Sequence, residues 1–422
     1  MSGRFFTGFL VFFSLFALYT LHSYSSRDPT SLFFNPRVGY APAYSELRRQ
    51  QAEQFITLVS NSSGNHDALG LGNSESRKIC VGIPSIARKG ARYLRTAVGS
   101  LLEGLTPEER KEIYFVVFIA QTDPTVHPAY KEHWLEALTD DILVYDIPNE
   151  DLDRIKNMEK EAGLFREKGL FDYSFLLQAC YEHETPYIAV FEDDIVAMDG
   201  WYYRTMKGLE LAETQSALRG SPDFLYLRLF YTEEFLGWNS EEWLTYAFWS
   251  ILFIVVPTGV LLFLHNKSAQ LKRIPPNRLI MFSTGVCLTI IVLFFSIGRA
   301  TVLPLPVGVN YMPKYGCCSQ GFVFPRQKAL TMASYYTSRK TGFVDVLTEE
   351  YADQHNELRW AITPSVIQHV GRKSSKVDDY GPGSKHGLSV AETIWNFEFE
   401  RNNVDDLRRE HDEAVGRKHG TT

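Results

Sequence analysis

Three consecutive acids, Glu192-Asp193-Asp194, close the apolar run Tyr187-Ile188-Ala189-Val190-Phe191. Such a run reads as a buried strand, so three carboxylates arrive together at its carboxyl end, where open α/β sheets bind their ligands. Oxygen ligands held that close suit a hard divalent cation, Mn2+ or Mg2+, which relieves their mutual repulsion and still attracts a nucleotide diphosphate. A solvated acidic turn is the competing reading, because turns collect Asp. Further along, His369 follows an apolar stretch, where a lone His is ordinarily a hydrogen-bonded core residue. Asp345 and Glu349 are spaced to share one face of a helix, with Glu350 and Asp353 close by. An acid at the position of Asp345 could equally complement a helix dipole. Arg88, Arg372 and Lys373 could offset diphosphate charge or form an ordinary solvated basic surface.

Holding these residues in place takes alternating strands and helices. A strand over 79–84 is followed by a helical apolar pattern over 89–105, at Leu94, Val98, Leu101 and Leu102, which stops before Thr106-Pro107. The run 113–120 reads as a strand buried on both faces, 140–145 as another strand, and 169–181 as a helix before the acid-tipped strand. Later come a strand over 321–324, a helix over 345–356 and an extended stretch over 362–370. The alternation predicts an α/β fold with a mostly parallel sheet and helices on both faces.

Apolar segments interrupt this pattern. Residues 5–21 read as a signal anchor behind a cytosolic tail, 1–4, while 243–264 and 279–298 are each long enough to span a bilayer. The loop 265–278 carries Lys267, Lys272, Arg273 and Arg278 and is expected in the cytosol, which leaves 22–242 and 299–422 lumenal. Asn61-Ser62-Ser63 is a glycosylation acceptor in the first lumenal part, whereas Asn266-Lys267-Ser268 falls in the cytosolic loop. Cys80, Cys180, Cys317 and Cys318 would meet an oxidising lumen, with three fully paired connectivities open, and Cys287 lies inside a span. The net charge of -7 and the lack of a basic stripe exclude nucleic acid as an expected partner.

Four blocks, in order, resemble nucleotide-sugar glycosyltransferases of the GT-A type, most closely the GPI-glycan N-acetylgalactosaminyltransferases of the Golgi and more distantly the N-acetylglucosaminyltransferase IV family. Gly82-Ile83-Pro84-Ser85-Ile86-Ala87-Arg88 with Tyr93-Leu94 is similar to the first nucleotide-proximal strand and loop, and Val117-Phe118-Ile119-Ala120-Gln121-Thr122-Asp123 to the second. Asp172-Tyr173-Ser174-Phe175-Leu176-Leu177 with the acid triplet resembles the metal-binding block. Pro364-Ser365-Val366-Ile367-Gln368-His369-Val370-Gly371, with Ser374-Ser375, resembles the closing block. Where the N-glycan relatives carry a His before their paired serines, this chain has Lys373. A transferase domain split by two spans resembles the GPI enzymes only.

The resemblance implies a metal-dependent UDP-sugar hexosaminyltransferase with UDP-GalNAc as donor and GPI-anchored proteins as acceptor, embedded in the Golgi membrane. It implies Asp194 and His369 as metal ligands. It implies donor contacts from Pro84, Ser85, Arg88, Gln121, Thr122, Asp123, Asp172, Tyr173, Glu192, Asp193, Arg372 and Lys373. The helix before the closing block is where inverting members present the general base, so Asp345, Glu349 and Glu350 are its candidates, with a retaining route through a covalent nucleophile still open. Two other readings are an N-glycan N-acetylglucosaminyltransferase and a non-catalytic escort for GPI-anchored cargo.

Overall fold

The computed structural model describes residues 19, 21–61, 77–88, 90–160, 164–312, 317–372 and 386–419. Most of the expected first span (5–18 and 20), the linker 62–76, Lys373 and Ser374-Ser375 lie outside these residues.

The chain divides into two compact units, Met1–Ala41 with Glu233–Leu305, and Pro42–Thr232 with Pro306–Thr422. The second unit holds an eight-stranded sheet. Its strands are β1 (Ile79–Ser85), β2 (Ile113–Ile119), β3 (Asp141–Leu143), β4 (Tyr187–Phe191), β6 (Tyr226–Arg228), β7 (Gly308–Tyr311), β8 (Gly321–Pro325) and β9 (Arg359–Thr363), in the spatial order β3-β2-β1-β4-β8-β6-β9-β7. The first four are mutually parallel, as the apolar runs predict. β8 runs antiparallel between β4 and β6, β9 is parallel to β6, and β7 closes the edge antiparallel to β9. Strands from before and after the apolar hairpin thus interleave in one sheet.

Both faces are covered because the strands are apolar at successive positions. Ile79, Val81 and Ile83 of β1, with Ala189 and Phe191 of β4, face a core shared with Ile56, Leu94, Trp201 and Leu209 of the helices Tyr44–Asn61, Tyr93–Leu102 and Trp201–Leu218. Alternate residues Cys80, Val116, Phe118, Ile188 and Val190 face the helices Phe165–Tyr181, Arg326–Arg339 and Val344–His355, through Leu176, Met332, Tyr336 and Leu347. Cys80 of β1 is disulfide-bonded to Cys180 of the first of these, fixing that helix to the sheet.

Two expectations need adjusting. The helix expected over 89–105 begins only at Tyr93 and ends at Leu102, because Gly90 takes φ +76° and Ala91 bridges back to Arg88, turning the chain first. The extended stretch over 362–370 is not one strand. It breaks at Pro364, which cannot donate to a ladder, and β10 (Ile367–His369) leaves the main sheet to pair antiparallel with β5 (Ile195–Ala197).

The other unit contains the helices Trp243–Lys267 and Pro276–Ile297, each long and apolar enough to cross a membrane. Their intervening turn carries Lys272 and Arg273. Residues before the sheet are tied to the end of the second helix, where Asp28 Oδ2 accepts from the Thr301 amide at 2.7 Å and Ser31 Oγ donates to the Ser296 carbonyl.

Candidate active site

β4 ends at Phe191 and β5 starts at Ile195, so the acid triplet is the link between them, at the carboxyl end of β4. His369 reaches it through the small second sheet. β10 pairs with β5 in the register His369↔Ile195, and the Val370 amide donates to the Asp194 carbonyl at 2.8 Å. His369 Nε2 consequently lies 3.5 Å from Asp194 Oδ2. The two ligands expected from distant parts of the chain are neighbours.

Their chemistry fits a divalent cation. His369 Nδ1 faces the Ile394 carbonyl at 3.1 Å, and a carbonyl only accepts, so Nδ1 carries the proton and Nε2 is aimed at Asp194. Asp194 Oδ1 is buried without a hydrogen-bond partner among the described residues. Any Cβ at Gly371 would collide with Asp194 and come within 2.7 Å of His369 Nε2, so glycine keeps room over the pair. Burial works against both charges, yet His369 holds the Asp194 carboxyl down at about 2 and Asp194 raises the imidazole above its ordinary value. A cation placed there would take over the role of the imidazole proton.

The two other acids are held by different neighbours. Asp193 Oδ2 accepts from Ser85 Oγ at 2.5 Å and its Oδ1 from Arg88, whose other nitrogen lies 3.6 Å from Asp194. Behind Ser85 stands His127, its Nε2 3.1 Å from Ser85 Oγ. The Ala129 amide donates to His127 Nδ1, which places the ring proton on Nε2. Burial, with Arg92 and Arg88 adding, pushes His127 down to about 4, so a neutral ring steadies Ser85 and through it Asp193. Glu192 accepts from Ser319 Oγ at 2.5 Å and from Gln320 Nε2 at 3.3 Å.

The loops after β1 and β2 are joined where Gln121 Oε1 accepts from the Ala87 amide. Pro84 sits within β1, in register with Phe118. The Arg372 amide donates to the Tyr93 hydroxyl, and Arg88 lies over the Tyr93 ring at 5.3 Å.

Other expected site residues are committed elsewhere. Thr122 donates to Glu159, and Asp123 caps the turn Pro124–Val126. Asp172 has both oxygens engaged, by Tyr145 and by Lys168 at 2.8 Å, and Lys168 also holds the Ala120 carbonyl, so this acid supports the end of β2 from the helix layer. Tyr173 differs from these: it is buried edge-on against Tyr336, its hydroxyl has no hydrogen-bond partner among the described residues, and it feels the charges of Glu192, Arg228 and Asp345.

Among the base candidates the structure separates three situations. Asp345 opens the helix Val344–His355, and its Oδ2 accepts from the Cys318 amide at 3.2 Å, two residues from the Gln320 that holds Glu192. Glu349 is not available as a base in this arrangement: one oxygen takes Tyr226 and Arg228, the other Arg359 at 2.5 Å. Glu350 pairs with Arg339 on the exposed face of that helix. Cys317, Cys318 and Asp345 gather like a metal cluster, but the two sulfurs are joined in a disulfide and offer no thiolate.

A model of the family described as GPI-N-acetylgalactosamine transferase PGAP4 matches residues 79–368, from the first residue of β1 into β10. The chain belongs to that family. All three acids and Asp345 fall inside the matched span, and His369 follows it directly. The chain is also similar to alpha-1,3-mannosyl-glycoprotein 4-beta-N-acetylglucosaminyltransferase A of Bos taurus, 31% identical over 202 residues, which are 44% of this chain and 37% of that protein. The Macaca fascicularis form is 32% identical over 166 residues, 36% of this chain and 31% of the relative. The B form of Mus musculus is 29% identical over 168 residues, 37% of this chain and 30% of the relative. The chain thus spans about a third of the length of the curated relatives it matches.

His127, Ser319, Gln320 and Arg228 are the site residues that sequence reasoning missed. His127 lies in a turn-rich stretch with no spacing signal, and the side chains of Ser319, Gln320 and Arg228 reach their partners only because β8 joins β4 and β6 across the apolar hairpin.

Proposed function

We propose that this member of the PGAP4 family transfers N-acetylgalactosamine from UDP-GalNAc to a mannose of the GPI core glycan, with inversion, as a multi-pass Golgi membrane protein whose transferase unit is lumenal. The observation that carries the reading is the Asp194–His369 pair, with an Oδ1 unpartnered among the described residues, at the carboxyl end of a strand in a chain of this family. Asp194 and His369 would hold Mn2+ or Mg2+, which when bound offsets charge on a diphosphate leaving group. Arg88, held between Asp193 and Asp194, adds a fixed positive charge on the same side. Asp345 takes the proton from the acceptor hydroxyl. The chain's own hairpin keeps the enzyme with its membrane-bound acceptor, raising effective concentration.

A second reading, an N-acetylglucosaminyl donor, draws on the similarity to the N-acetylglucosaminyltransferases above. Release of UDP by the purified chain from a panel of UDP-sugars, with a GPI glycan as acceptor, separates the two. Release with UDP-GalNAc well above UDP-GlcNAc is expected; the reverse order would replace the donor, and no release from any donor would favour an escort.

A further inference from the structure

We propose that the Cys317–Cys318 disulfide is a positioning element of the transferase site, fixing the short segment that links the acid triplet to the Asp345 helix. The inference rests on the transferase reading. Gly321, the first residue of β8, pairs with Phe191, so the segment just before it lies against the carboxyl end of β4. From there it works in two directions. Ser319 and Gln320 hold Glu192, while the Cys318 amide donates to Asp345. Buried Arg228 donates to the carbonyls of both cysteines, at 2.6 Å to Cys318, and pairs at 2.7 Å with Glu349 on the Asp345 helix. One guanidinium therefore ties the ring to that helix.

The ring matters because of what it holds in place. Cys318 has φ +82°, in the left-handed region that residues other than glycine rarely adopt. Covalent closure to its neighbour restrains the residue there. If the ring opens, Cys318 is released toward an ordinary backbone conformation, and its amide and the following serine turn away from Asp345 and Glu192 together. Global stability is a poor explanation of this bridge. Chain-entropy stabilisation grows with the loop closed, and a sequence separation of 1 closes almost none, against 100 for Cys80–Cys180. Opening requires a reductant: an external dithiol gives two electrons and two protons, yielding two cysteine thiols and its own disulfide.

The test uses the full chain in detergent, comparing wild type, wild type treated with dithiothreitol, and a Cys317→Ser/Cys318→Ser variant. Expected is a fall in kcat of about 10-fold or more with the donor KM changed less than about twofold, the signature of lost positioning and not of lost binding. The melting temperature of the variant should match wild type, and dithiothreitol should not lower the variant's kcat further. Hydrogen exchange gives a readout independent of turnover: amides at 318–320 and in the first turn of the helix at 345–348 should exchange faster in the variant. Unchanged kcat with unchanged exchange would overturn the proposal, as would a melting temperature that falls in step with kcat. Wild type that releases no UDP from any donor would sink the transferase reading alone, and exchange would then decide the coupling.

Discussion

Among single residues, what separates the site's carboxylates is which of them are already committed to cationic neighbours. Asp194 is buried with its cationic partners, so Asp194→Asn is a cleaner probe than truncation, which would leave Arg88 and His369 facing a void. Replacing it should lower transfer by more than about 100-fold, beyond the 10–100-fold typical of outer-shell partners of a metal, and should abolish Mn2+ binding by water proton relaxation. Retained Mn2+ affinity would move the ligand assignment. Asp345 and Glu349 separate by a different pair of measurements. Asp345→Asn should reduce kcat by ~10²–10⁴ at constant melting temperature. Glu349→Gln should chiefly destabilise, by about 3 kcal/mol, because it leaves Arg228 and Arg359 without their shared carboxylate. If Glu349→Gln instead lowers kcat alone, the base lies one turn further along the helix.

At the scale of elements, the chain's last helix, Val404–His419, supplies a pH-sensitive tie. His411 Nε2 contacts Glu109 Oε1 at 2.9 Å, beside the capping box that starts the helix Pro107–Lys111. The hydrogen bond to Glu109 raises His411 above its ordinary 6.5; burial opposes the charge on Glu109, but His411 leaves that carboxyl below its ordinary 4.5. The His contribution is complete below pH 6.5 and fades as pH rises through the higher folded value, and the Glu contribution is complete above pH 4.5 and fades as pH falls through the lower folded value. Melting temperature should therefore decline from pH 6.5 toward pH 8, and His411→Gln should flatten that decline. An equal decline in the variant would assign it to other groups.

The same scale shows what the sequence made legible. Strands with continuous apolar runs, 79–84, 113–120 and 187–191, stand where expected, because burial on both faces writes itself into composition. The helices Trp201–Leu218 and Arg326–Arg339 and the three-residue strands β5 and β6 were not visible, being either mixed in polarity or too short for periodicity. The pairing of Asp194 with His369 came from motif order; its cause, the β5–β10 ladder, did not show in the sequence. The commitment of Glu349 to Arg228 and Arg359 depends on tertiary partners that spacing cannot reveal, whereas Lys168 stands four residues before Asp172 on one helix, a pairing that spacing does carry.

At the scale of the whole molecule, the sheet is assembled from both sides of the apolar hairpin, with β8 between β4 and β6. Replacing residues 243–298 by a soluble flexible linker should leave this sheet able to form, with UDP-sugar hydrolysis retained and transfer to membrane-held acceptors reduced more than transfer to a soluble GPI glycan. Loss of both activities together would mean that the hairpin is needed for folding of the sheet. The central claim, a cation held by Asp194 and His369 in a GalNAc transferase, is tested most directly by GalNAc transfer to a GPI glycan before and after chelation. Transfer should disappear with chelator, return with added Mn2+, and fail to return in Asp194→Asn; undiminished transfer by fully chelated wild type would rule the cation out.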